Sequence, residues 1–179
     1  AADPLTTAST NEPSFQKTAE LGEMWKSNPK DVKLGLAYAD SLAQIGQGEQ
    51  RMQVYERLVS QNPTDITLKA TYGKAMLENG RTGEAIAVLE DVTASGKADW
   101  KAHSALGSAY DQDGQHPRAR QSYEKALALR PGELSAMNNI GMSYSLEGDL
   151  GKAEKVLRDA MAQPGSAKLP RIRQNLALV

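Results

Sequence analysis

The chain has 179 residues, with 21 Lys plus Arg against 22 Asp plus Glu, 40% apolar and 5% aromatic residues, and no cysteine. That length allows one compact domain or an elongated array of small units. The near-zero net charge argues against nucleic acid as the main partner, and the short apolar runs argue against a transmembrane span. The lack of cysteine removes disulfides, thiolate nucleophiles and Cys-ligated metals. Mean hydropathy is low, at −0.53, so the location of a core is a question the chain itself must answer.

In chain order, residues 1–12 carry no periodicity and are expected to form a disordered leader. The missing initiator Met suggests a processed or trimmed N-terminus, with Ala1 following a removed signal peptide or an engineered boundary. Residues 13–31 read as a single capping helix. Ser14 can serve as its N-cap, and Phe15, Leu21, Met24 and Trp25 supply an apolar stripe that covers the open end of the neighbouring helical unit.

A 34-residue period begins after that helix. Gly73, Gly107 and Gly141 keep that step, as do Gly46, Gly80, Gly114 and Gly148. Four contiguous units result, at 32–65, 66–99, 100–133 and 134–167. In the third unit Leu106, Gly107, Tyr110, Gly114, Ala119, Tyr123, Ala126 and Pro131 hold positions 7, 8, 11, 15, 20, 24, 27 and 32. The fourth unit places Ile140, Gly141, Tyr144, Gly148, Ala153, Leu157 and Ala160 in the same register, and the second has Tyr72, Gly73, Met76, Gly80, Ala85, Leu89 and Val92. The first is looser, with Arg51 at the small position 20, which predicts a splayed or slightly shifted hairpin.

Positions 7, 8 and 11 share one helical face, and positions 20, 24 and 27 share another. Each unit is therefore expected to be a helical hairpin, with the glycine at 8 facing the small residues at 20 and 27. The glycine at 15 suits a left-handed helix end, and Pro63 and Pro131 stop second helices. Residues 168–179 read as the first helix of a truncated fifth unit, with Pro170 in its first turn. Leu176, Leu178 and Val179 make a poor polar cap. The chain is therefore expected to be a fragment of a longer array, or else to self-associate through the Leu176–Val179 edge.

This pattern resembles the tetratricopeptide repeat (TPR) over 136 of the 179 residues. The resemblance implies an all-α, right-handed α-solenoid of TPR hairpins whose concave wall is built from positions 2, 5, 9 and 12 of the first helices. Those positions hold Lys33, Leu36, Asp40 and Ala43; Thr67, Ala70, Lys74 and Leu77; Lys101, Ser104, Ser108 and Asp111; and Ser135, Asn138, Met142 and Ser145. A protein or peptide segment is the expected occupant. Asn138 and Asn139 are the candidates for hydrogen bonds to its backbone, and Lys74 and Lys101 for its acidic side chains. The bulky aromatic usual at position 4 is absent, since Gly35, Lys69, His103 and Met137 stand there. The chaperone-type carboxylate clamp is not expected either: units one to three present Leu36, Asp40, Thr71, Lys101 and Ala105 at its positions, and only Lys101 fits.

Catalytic chemistry has little to work with. His103 and His116 fall on different elements and read as packing or surface residues. Asp111-Gln112-Asp113-Gly114 mimics the opening of a calcium loop, but Ser122 stands where its bidentate Glu belongs, so a turn is expected. No cofactor, metal, nucleic acid partner or enzyme activity is expected.

Asp99-Trp100, the run from Asn138 to Leu150 and the run from Arg171 to Val179 are similar to the TPR lipoproteins of tight-adherence (Tad) pilus assembly. That resemblance implies a periplasmic, outer-membrane-anchored lipoprotein that works with pilus or secretin components. The alternatives are a general cytosolic TPR adaptor and a regulatory TPR fragment of a larger enzyme.

Overall fold

A computed structural model of the chain describes residues 14–179, so the leader expected over 1–12 lies outside the described residues. All regular structure within them is helical, and the helices fall into two compact units split between Thr64 and Asp65.

The first unit holds α1 (Phe15–Ser27), α2 (Val32–Gln44) and α3 (Gly48–Gln61). Ser14 caps α1 by accepting a hydrogen bond from the Lys17 backbone N–H at 3.0 Å. The helix packs on α2 through Trp25, whose ring centroid lies 5.9 Å from that of Tyr38, and through a Thr18–Ser41 hydroxyl pair. Gly35 is the tight point of this unit. A Cβ there would lie 2.7 Å from the Leu58 side chain and 2.9 Å from the Trp25 indole nitrogen. Trp25, contributed by α1, thus brings an aromatic ring to position 4 of the first repeat, the place where that repeat has none of its own. Arg51 lays its guanidinium 5.7 Å from the centre of the Tyr55 ring.

The second unit holds α4 (Ile66–Glu78), α5 (Thr82–Ala94), α6 (Trp100–Gln112), α7 (His116–Leu129), α8 (Leu134–Leu146), α9 (Leu150–Met161), a short 3-10 turn at Ser166–Lys168 and α10 (Arg171–Leu176). Its hairpins correct one expectation. The glycine at position 8 faces the large residue at position 24, rather than the small residues at 20 and 27. A Cβ on Gly107 would sit 2.5 Å from the Tyr123 ring, and one on Gly73 or Gly141 would sit 2.7 Å from Leu89 or Leu157. The absent methyl makes room for a bulky side chain in a close-packed seam. The alanines at 20 and 27 flank that contact, and Ala119, Ala126, Ala153 and Ala160 are fully buried. Relative to these hairpins, the tight point between α2 and α3 is displaced by one helical turn, to position 4.

Both ends of the first helices are fixed by local hydrogen bonds. Gly114 adopts φ +81°, which L side chains rarely take up. Its N–H donates to the Asp111 carbonyl and the next N–H, of Gln115, donates back to Tyr110 at 2.8 Å, a Schellman closure. First helices start on a repeating acidic cap: Asp31, Asp65 and Asp99 accept from the N–H groups of Leu34, Leu68 and Ala102 at 2.9–3.0 Å. These aspartates also fall 34 residues apart, a periodic signal that the glycine and alanine pattern overshadows in the sequence. Each such cap stabilises by about 1 kcal/mol.

The core is a chain of local clusters. One joins Leu89, Leu106, Tyr110, Tyr123 and Ile140, and another joins Leu157, Ala160 and Ile172. Leu176 and Val179 pack against the second cluster. The bare edge expected over Leu176–Val179 therefore reduces to Leu178, which is 75% exposed.

Gly107→Leu should lower stability by about 1–3 kcal/mol or more, because Tyr123 cannot retreat from a close-packed seam. Thermal melts read the effect, and an unchanged midpoint would refute the repeat register.

Candidate functional site

The first helices α4, α6 and α8 of the second unit contact one another in sequence. Because every hairpin has nearly the same length, equivalent positions of these helices come side by side. A cavity of about 770 Å³ opens along them. Its wall carries Thr67, Ala70, Thr71, Lys74 and Leu77 from α4, then Lys101, Ser104, Ala105 and Ser108 from α6, and Ser135 and Asn139 from α8. Val92, the linker residues Lys97, Ala98 and Asp99, Trp100, and Arg171 of α10 also border it.

Four of the sequence-derived candidates, Lys74, Lys101, Ser104 and Asn139, line this cavity together. Lys33 and Asp40 lie exposed on α2 of the first unit, where the Gln44 amide reaches Asp40 at 3.4 Å. Three candidates require correction. Asn138 is only 3% exposed, and its carbonyl oxygen accepts a hydrogen bond at 2.9 Å from the Asn175 amide of α10. Its polar group holds the protein together instead of facing a ligand. Met142 is half-buried outside the cavity, which tracks α8 only through Ser135 and Asn139, one turn short of it.

Asp111 is the third. It turns away from the cavity into a polar knot between α6, α7 and α8, where its side chain is 10% exposed. One carboxylate oxygen lies 2.8 Å from His116 Nδ1 and accepts from the Ser143 hydroxyl at 2.7 Å. The other accepts from the Tyr123 hydroxyl at 3.0 Å. Burial pushes the Tyr123 phenol well above its ordinary range, a hydrogen bond with Ser108 opposing and Asp111 adding to the shift, so it stays a neutral donor. The single Ser143 hydroxyl proton goes to the carboxylate at 2.7 Å rather than to the His116 ring, so serine, histidine and aspartate here do not form a nucleophile–base–acid relay. The calcium-like Asp111–Gly114 run is the end of α6 and its turn. No group of three or more His, Asp or Glu side chains among the described residues could hold a metal ion.

His103 sits in the first turn of α6, with Nδ1 buried and without a hydrogen-bond partner among the described residues. Burial lowers its pKa below the ordinary value of 6.5, Lys125 lowers it further and Asp99 opposes them.

Among the lining residues that the groove positions did not anticipate are Lys97, Trp100 and Arg171. Trp100 has Arg130 5.2 Å and Lys101 6.0 Å from its ring centre. Lys97 is in a linker, off the groove positions, and Arg171 stands on the partial fifth helix, onto which the groove positions were not carried.

Comparison with known proteins agrees with this fold. The tetratricopeptide repeat family model matches residues 73–133 and 105–167, which together span more than half of the chain. Solved structures with the same fold include MamA 41-end from Desulfovibrio magneticus RS-1, at a TM-score of 0.69 and 24% identity over 80% of this chain and 81% of that one. PilW, a widely conserved type IV pilus biogenesis factor, matches at a TM-score of 0.74 and 20% identity over 90% of this chain and 78% of that one. YrrB, a TPR protein with an unusual peptide-binding site, matches at 0.63 and 17% over 90% and 82%. No curated protein sequence matches the chain significantly.

The buried polar groups set two measurable outcomes. Asp111→Ala removes the shared acceptor of the buried Tyr123 and Ser143 and of the partly buried His116 and should destabilise by about 1–3 kcal/mol in chemical denaturation, whereas Asp40→Ala on the exposed face of α2 should be near neutral. His103 protonates at lower pH in the folded state than in the unfolded chain, where it keeps its ordinary value of 6.5. Its contribution to stability is therefore full above pH 6.5 and is lost as pH falls below it. Melts of His103→Gln against pH should lose that component, and an unaltered pH profile would contradict the assignment.

Proposed function

The chain belongs to the tetratricopeptide repeat family, and on that premise we propose that it is a non-enzymatic scaffold that binds a partner segment in the cavity of its second unit. One observation carries this reading: equivalent first-helix positions of three successive repeats, small or polar in character, open onto one continuous cavity. That volume is within the range of a specific ligand site, about 300–1,000 Å³. A non-catalytic role is supported by the fate of the titratable groups, since Asp111 and His116 are engaged with each other inside the packing.

The proposal extends to Tad-type pilus or secretion assembly, with the protein held at the outer membrane as a periplasmic lipoprotein. The resemblance of residues 99–179 to the Tad lipoproteins supports this. No helix among the described residues is long and apolar enough to cross a membrane.

The experiment is capture of partners from envelope extracts with the full-length tagged gene product, compared with its Lys101→Glu and Asn139→Leu variants. Pilus or secretin components should be recovered with the wild type and lost with both variants. Recovery unaffected by either substitution would remove the cavity from the mechanism. Palmitate labelling and fractionation test the envelope assignment, and an unlabelled cytosolic product would sink it.

A further inference from the structure

We propose that the cavity of the second unit selects an acidic segment with one bulky apolar side chain. This rests on the groove reading above and specifies what that groove would accept. The reasoning starts from charge. Four cations border the cavity from four separate pieces of chain: Lys74 on α4, Lys97 in the α5–α6 linker, Lys101 on α6 and Arg171 on α10. Two carboxylates share the lining, and both are already committed. Asp99 accepts the Ala102 N–H at 2.9 Å as the cap of α6, and Glu78 has a partner of its own. Among the described residues no carboxylate pairs with any of the four cations, although ion pairs are plentiful elsewhere in this unit, such as Arg120–Glu147 at 2.6 Å and Arg158–Glu154 at 2.8 Å.

The whole chain is close to neutral, with 21 basic against 22 acidic side chains. A locally unpaired set of cations is therefore a feature of this site and not of the protein's average. Cations gathered at a concave surface raise the local concentration of anionic ligands and speed their encounter.

The interior of the cavity supplies the second half of the specificity. Leu77 offers apolar surface beside the fully buried Val92, and Ala105 leaves space where a larger residue would fill it. A single aliphatic or aromatic side chain entering there would be desolvated while its acidic neighbours remained at the rim with the cations. Arg171 is fixed for this task by the seating of α10, through the buried Ile172 and the Asn175–Asn138 amide bond.

The test begins with selection of short peptides from an unbiased display library on the full chain. The selected peptide is then titrated by calorimetry against the wild type, Lys101→Glu, Arg171→Glu and a cavity-filling Ser104→Trp variant. A version of that peptide with Asp and Glu replaced by Asn and Gln is titrated alongside, and circular dichroism checks that each variant is folded. The proposal expects Asp- and Glu-rich peptides with a conserved bulky apolar residue. It expects affinity to fall roughly tenfold in the amide version and in each charge reversal, and to weaken with added salt. Neutral or basic peptides whose binding is blocked by Ser104→Trp would overturn the acidic specificity and leave the groove reading standing. Binding indifferent to Ser104→Trp, or a library that yields no binder, would overturn both.

Discussion

A missing methyl group at position 8 of the second unit's hairpins sets how near their two helices lie. At Gly73, Gly107 and Gly141 a Cβ would stand 2.5–2.7 Å from the side chain opposite. Atoms cannot share that space, so each hairpin exists in its present form only because those residues are glycine. Glycine in a helix interior is a local destabiliser, by about 1 kcal/mol relative to alanine. The loss is offset by complete burial of Leu89 and Leu157 and near-complete burial of Tyr123. Burying a side chain of that size stabilises by about 1.5–3 kcal/mol. A polar, aromatic-poor chain can thus hold its fold together without one large core, by repeating a small, dense contact.

Helix length is controlled with similar economy. An aspartate cap starts α2, α4 and α6, and a left-handed glycine ends them before the turn. In the second unit, nearly uniform helix lengths keep equivalent first-helix positions in register across α4, α6 and α8. The cavity is the product of that register. Lys74, Ser104 and Asn139 meet there because their helices start at the same phase, although 65 residues separate the first from the last.

Helices and hairpins were legible in the sequence because the period repeats the same local physics. The direction of the Gly107 contact was not. Spacing says which residues share a face, and only the crossing of two helices decides whether Gly107 meets Ala119 or Tyr123. The candidate site was legible where a repeat position carried it, as with Lys74 and Lys101. Legibility ended where a side chain found a partner inside the protein. Asn138 and Asn139 are adjacent and chemically identical, yet Asn138 is taken by Asn175 and Asn139 borders the cavity. No periodicity separates two such neighbours, because what divides them is a contact with α10, 37 residues away. Arg171 was passed over because the groove positions were followed only through the four full repeats, whereas it stands on the partial fifth helix and reaches the cavity through the docking of α10.

The Asn138–Asn175 bond therefore connects two events that would otherwise be independent. A short helix such as α10, six residues long, is marginal on its own and owes its order to what it packs against. Arg171 is at the cavity only while that packing persists. A ligand that engages Arg171 therefore favours the docked helix, and docking favours the ligand by the same factor, as reciprocity of coupled equilibria demands. On the proposed role of the cavity, α10 would act as a thermodynamic dial: whatever tightens or loosens its seat would retune the affinity of a site whose other walls are set by the repeat itself.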